Sequence, residues 1–159
     1  MSGCPGSGMM SFAKDGLGNA ADGAAGHALS RLRQWPIQLH LVSPRAPCFQ
    51  GADVLMAADC VAFAMGDFHD RYLKGRSLAI ACPKLDSGHE VYFEKILGLL
   101  EDAKVNSITV AIMQVPCCRG LSVLVSQALG ESRRKVPVKT VTVSLQGDVL
   151  KEEWAATRA

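Results

Sequence analysis

The chain has 159 residues, of which 48% are hydrophobic and 20% charged, with 17 basic and 15 acidic side chains for a formal net charge of +2. This composition describes one globular domain that can bury a core without staples, and it excludes a disordered or fibrous chain. So small a net charge argues against a nucleic-acid binder, and Arg31 with Arg33 and the Arg133-Arg134-Lys135 cluster read as solvated helix faces and ends. No run reaches the roughly 18 to 20 apolar residues that cross a bilayer, and the N-terminus lacks the charged-then-apolar profile of a secretion signal. No membrane association is expected, and the expected location is cytoplasmic. In that reducing compartment the six cysteines read as thiols rather than disulfides.

Residues 1–30 hold seven of the fifteen glycines and little apolar periodicity, which predicts a flexible Gly/Ala-rich arm carrying Cys4. Within it, the string from Gly16 to Ala21 matches a dinucleotide-binding pattern in letters only, because no strand precedes it.

From 31 to 150 short β-rich runs alternate with helical ones. Strands are predicted at Ile37 to Val42, Val54 to Ala58, Ser77 to Ala81, Ile108 to Val115 and Val138 to Leu145, the last with an alternation that suggests a sheet edge. Asp67 is placed to cap a short helix from Phe68 to Lys74 closed by Gly75. Glu90 to Lys104 carries Phe93, Ile96, Leu97, Leu100 and Ala103 at helical spacing. Leu121, Leu124, Val125, Ala128 and Leu129 mark a second long helix. The order implies a single Rossmann-like α/β domain: a mostly parallel sheet of about five strands with helices on both faces. Residues 151–159 read as a polar, frayed tail.

Three apolar strands end in cysteine, at Cys60, at Cys82 and at the Cys117-Cys118 pair. In an open parallel sheet the ligand crevice lies beyond the carboxyl ends of the strands, so these four thiols are expected along one rim. Helix N-termini at that rim favour anionic thiolates, and Gly120 lets backbone approach the sulfurs. Four thiolates suit an iron–sulfur cluster or zinc; the absence of any C-x-x-C knuckle lowers the weight of zinc and of a thioredoxin-like site. Either of Cys60 and Cys82 alone reads as a small buried hydrophobe, whereas the joint placement points to a site. Cys48 has no matching strand end and is set aside. His40 and His89 read as ordinary packed or solvated residues, His69 lies nearer the rim, and Lys84 and Asp86 read as a solvated loop, with hydrogen bonding to a cluster or a partner as the alternative.

Gly3 to Ser7, Leu32 to Val42, Ala52 to Ala64, Asp67 to His69, Cys82 to Asp86 and Val115 to Cys118 together resemble the C-terminal region of the ferredoxin-type iron–sulfur proteins of anaerobic bacteria. The similarity runs from Cys4 to about Leu150. It implies cluster binding by the α/β domain, with Cys4, Cys60, Cys82, Cys117 and Cys118 on the matching cysteine positions. Arg119 stands where the relatives commonly have glycine. Those proteins carry a ferredoxin domain ahead of this region and this sequence does not, so a separate redox protein such as a ferredoxin is the expected electron partner. A homodimer sharing the site through the Cys4 arm is also in reach. The expected function is therefore one-electron transfer through a [4Fe-4S] cluster rather than enzyme catalysis. The alternatives are a redox enzyme with an open iron site assisted by His69, Lys84 or Arg119, and a zinc-binding structural or regulatory domain.

Overall fold

The computed structural model describes residues 7–12 and 28–155. Cys4, most of the expected arm and residues 156–159 lie outside them. The main sheet has five strands, β3 (Asp53–Ala58), β4 (Ser77–Ala81), β5 (Ser107–Met113), β6 (Val138–Val143) and β7 (Val149–Trp154), in the order β4-β3-β5-β6-β7. The first four are parallel; β7 returns antiparallel against β6. A small antiparallel pair, β1 (Met10–Ser11) and β2 (Gln34–Trp35), stands apart from it. The sheet is mixed but mostly parallel, as the pattern implied.

β3, β4 and β5 are nearly continuous runs of aliphatic residues buried over almost their whole length, the signature of strands covered on both faces. Helices α2 (His89–Glu101) and α3 (Arg119–Glu131) pack on each other. Their crossovers run in the same direction across the sheet, so right-handed connection puts both on one face. The crossover from β3 to β4 runs the other way, carrying α1 (Val61–Ala64) and a π-helical turn, His69–Leu73, over the opposite face. The buried face of α2 is Tyr92, Ile96, Leu99 and Leu100, which keeps Ile96 and Leu100 of the expected stripe and leaves Phe93 and Leu97 half-buried at its flank. The helix stops at Glu101, short of Lys104, which takes φ +51 to leave it.

Four expectations are corrected. Ile37 to Val42 is not a strand: only Gln38 bridges to Ile80, after which the amide N–H groups of Leu41 and Val42 turn back onto the Gln38 carbonyl. The Lys95 ammonium gathers the carbonyls of Leu39 (3.0 Å), His40 and Val42 (2.9 Å), satisfying a turn that a ladder would otherwise have consumed. The segment from Phe68 to Lys74 is a π-helical turn without a side-chain cap; Asp67 ion-pairs with Arg71 instead (3.5 Å). β6 is not the edge, and Lys151 to Trp154 of the expected tail form most of β7. The new edge carries Lys151, Glu152, Glu153 and a register shift, devices that discourage pairing with another strand.

Gln34, fully buried, replaces a strand where β2 meets β4. Its side-chain amide donates to the Leu78 carbonyl (2.5 Å) and accepts from the Leu78 amide (3.3 Å).

Candidate functional site

Strand order locates the crevice. β3 connects to β4 on one side of itself and β5 connects onward to β6 on the other, so the chain diverges beyond the carboxyl ends of β3 and β5. That divergence is the topological switch point at which doubly wound sheets hold ligands.

Cys60 follows β3 after one residue and opens α1; Cys82 follows β4 directly. Pro116–Cys118 form a 3-10 turn after β5, and Cys118 occupies the N-cap position of α3. All four strand-end thiols therefore stand at the carboxyl ends of three neighbouring strands. Cys60 and Cys117 are exposed, Cys82 is half-buried and Cys118 is buried. Burial pushes the Cys118 thiol above its ordinary value. A hydrogen bond with the Met113 backbone pulls the other way, while the adjacent Cys117 sulfur, hydrogen-bonded to it, and the Cys60 thiol add to the rise. Cys60 and Cys117 are thus near enough for their charges to be felt at Cys118. Cys82 is tied in by Gly120: a Cβ there would lie 3.1 Å from the Pro83 Cβ and would press the β4 and β5 loops slightly apart.

Carboxylates surround the thiols. Asp86 accepts the Cys82 amide N–H (2.9 Å) and the Tyr92 hydroxyl, which fixes the Cys82 loop onto α2. Burial alone would raise the Asp86 carboxyl, but those two hydrogen bonds with the nearby His40 and His89 outweigh it and hold the group below its ordinary value. Asp59, beside Cys60, is raised by burial and by the Asp86 charge, against a hydrogen bond from the Gln38 side chain. Among the described residues, Asp59 Oδ1 is the buried side-chain oxygen left without a hydrogen-bond partner.

The His69 ring is tied to the segment before β2, where its Nδ1 accepts the Arg31 amide N–H (3.0 Å). His40 packs on the Tyr92 ring at 4.3 Å and bonds the Ser87 carbonyl. Cys48 sits in a 3-10 turn, Pro47–Phe49, at the opposite end of the sheet. Sequence reasoning missed Asp59 and two apolar side chains, Phe63 and Leu85, that stand in solvent at the rim. A charge closing a fully apolar strand was the available signal for Asp59; for the other two, the signal was an apolar residue three places after each strand-end cysteine.

The donor set is chemically apt for a thiophilic metal centre: four cysteines, close-approach glycine at the rim, and a 13-residue helix whose N-terminus has no side-chain cap. Among the described residues no three His, Cys, Asp or Glu side chains converge tightly enough to hold a single metal ion. No helix among them is long and apolar enough to cross a membrane.

The fold and the rim define a doubly wound α/β domain with a thiol-lined switch point. The chain belongs to the Rossmann-like domain family, whose model matches residues 46–158. It is similar to an uncharacterized protein of Archaeoglobus fulgidus, 32% identical over 123 residues that cover 76% of this chain and 84% of that one. No solved structure matches it.

Proposed function

We propose that this domain holds an iron–sulfur cluster of the [4Fe-4S] type at the rim and serves one-electron transfer. The observation that carries the reading is the gathering of Cys60, Cys82, Cys117 and Cys118 at the carboxyl ends of β3, β4 and β5, on both sides of the switch point. The resemblance of the motifs to the C-terminal region of ferredoxin-type proteins supports it. When bound, such a cluster supplies reversible one-electron chemistry.

Cys60, Cys82, Cys117 and Cys118 would be its thiolate ligands, with Cys4 the fifth candidate.

Each thiol must shed its proton to ligate, a step that burial of the Cys118 thiol opposes and a bound metal would have to drive. The hydrogen bond that the Cys82 amide N–H donates to the Asp86 carboxylate orients the β4 loop and removes one N–H from the set available to sulfur. Negative charge on Asp59 and Asp86 beside the thiolates favours the oxidised state, which lowers the potential. Of the helpers for an open iron site, His69 is already engaged by Arg31.

The test is an absorption spectrum with iron, sulfide and zinc analysis on protein purified without oxygen. Broad visible absorption that bleaches with dithionite, with about four irons and four sulfides per chain, is the expected result. A colourless protein holding zinc or no metal overturns the reading and leaves the rim as a zinc or thiol site.

A further inference from the structure

The rim displays apolar surface that the cysteines do not explain. Phe63 is 95% exposed and Leu85 is 85% exposed, each three residues beyond a strand-end cysteine, Cys60 and Cys82, on the paired strands β3 and β4. Leu145, also exposed, joins them: Gly147 in the turn between β6 and β7 has φ +94 and lies so close to α1 that a Cβ would collide with the Ala64 carbonyl oxygen. That contact sets the turn beside Phe63. Large apolar side chains held in water around one crevice mark an interaction surface.

Two cations stand at the same rim. Gly120 packs on Pro83, which brings the loop that carries Arg119 up to the loop that carries Lys84. Both are exposed, and neither takes part in an ion pair among the described residues. The nearby acids are not their counterpart: Asp86 is occupied by Tyr92 and the Cys82 amide, and Asp59 is half-buried.

We infer that this collar, Phe63, Leu85 and Leu145 around Lys84 and Arg119, docks a protein whose matching surface is an apolar centre with acidic side chains. A second copy of the chain is the poorer fit, since a two-fold contact would set Lys84 and Arg119 against themselves. An anionic membrane is poorer too, because surface attraction grows with a cluster of about four to eight basic residues and this patch has two. The apolar side chains supply affinity, and the cations supply steering and register. The inference rests on the surface rather than on what the thiols hold; where the cluster reading also stands, this protein is its electron partner.

The experiment places a photo-crosslinking phenylalanine analogue at Phe63 in the full chain, in the cells that make it, and purifies whatever acidic protein is captured. Capture alone decides nothing. The purified partner must bind the full chain with affinity that falls about tenfold between low and moderate salt, and about tenfold again in Phe63→Ser and in the Lys84→Glu/Arg119→Glu double variant. Phe63 is nearly all in solvent, so Phe63→Ser keeps the fold. The proposal is overturned if crosslinks form only to a second copy or not at all, if the partner binds the charge-reversed variant as well as the parent, or if phosphatidylserine vesicles bind in a Phe63-dependent way. Iron and sulfide analysis of the same variants separates the two ideas: lost docking with metal unchanged concerns the collar, and absent metal with docking intact concerns the cluster.

Discussion

The two ends of the sheet are built to opposite rules. At the amino ends of β3, β4 and β5 lies a cavity of about 350 Å³ lined by polar groups. Those groups answer one another: Arg33 donates to the Gly75 carbonyl, Asn106 to Gly51, Gln50 to Pro44, Ser77 to Cys48, and Ser107 to the Asp53 carboxylate. The thiol there, Cys48, is pushed up by burial and has no second cysteine near it among the described residues. At the carboxyl ends the rules are broken. Four thiols stand at the ends of three neighbouring strands, a buried carboxylate oxygen lacks a partner, and Phe63 and Leu85 stand in water. A stable domain tolerates such violations where they serve something other than stability.

The cysteines give the sharpest way to break this contrast. Cys60→Ser, Cys82→Ser, Cys117→Ser and Cys118→Ser are each expected to lower iron content severalfold in protein purified without oxygen, because a ligand is lost, while Cys48→Ser leaves it unchanged. Equal loss from Cys48→Ser would mean that the two ends do not differ as described. The amino-end side of the contrast is tested through stability. Gln34→Ala removes the amide that answers both backbone groups of Leu78 in a fully buried place, and about 1 to 3 kcal/mol of unfolding free energy should go with it in a denaturant titration. The metal content should not follow. A smaller effect is expected from Gly120→Ala, whose Cβ would press on Pro83 at 3.1 Å. It should cost about 1 kcal/mol or less, yet lower iron content, because it moves the Cys82 loop from the Cys117 loop; a full metal load would show that their close approach is dispensable.

How much of this was legible in the sequence follows from what kind of information each feature needs. β3 and β4 were read nearly to the residue, since a continuous aliphatic run bounded by Gly51 and Cys60, or by Gly75 and Cys82, has no other stable home. The gathering of cysteines at strand ends was equally legible, because a parallel sheet brings strand ends together whatever the strand order. Ile37 to Val42 has a strand's composition and becomes a turn because Lys95, more than fifty residues away, claims its carbonyls. β7 was hidden by its charges: an exposed edge strand is polar on both faces, and Lys151 to Glu153 look like a tail until β6 is seen to need a neighbour. The exposure of Phe63 was illegible for a related reason. α1 is four residues long, too short for periodicity to tell an inward face from an outward one.

The least effect, and the most diagnostic one for the rim, belongs to Asp59. Its carboxyl titrates above the ordinary 3.8 and that of Asp86 below it. A raised carboxyl binds protons more tightly folded than unfolded, so stability falls as pH rises from 3.8 through the folded value of Asp59. A depressed carboxyl does the reverse: what Asp86 contributes is present above 3.8 and is lost as pH drops through its folded value. The two windows lie on opposite sides of 3.8, so thermal melts can separate them. Asp59→Asn should flatten only the upper window, raising Tm at neutral pH by about 1 to 3 °C and gaining nothing more below 3.8. Asp86→Asn should flatten the lower window, because it removes the charge that Tyr92 and the Cys82 amide hold, and should narrow the upper one, because that charge helps to raise Asp59. If Asp59→Asn instead lowers Tm at neutral pH, the carboxylate is answered by a group in the folded chain, and the rim is less strained than its unpartnered oxygen implies.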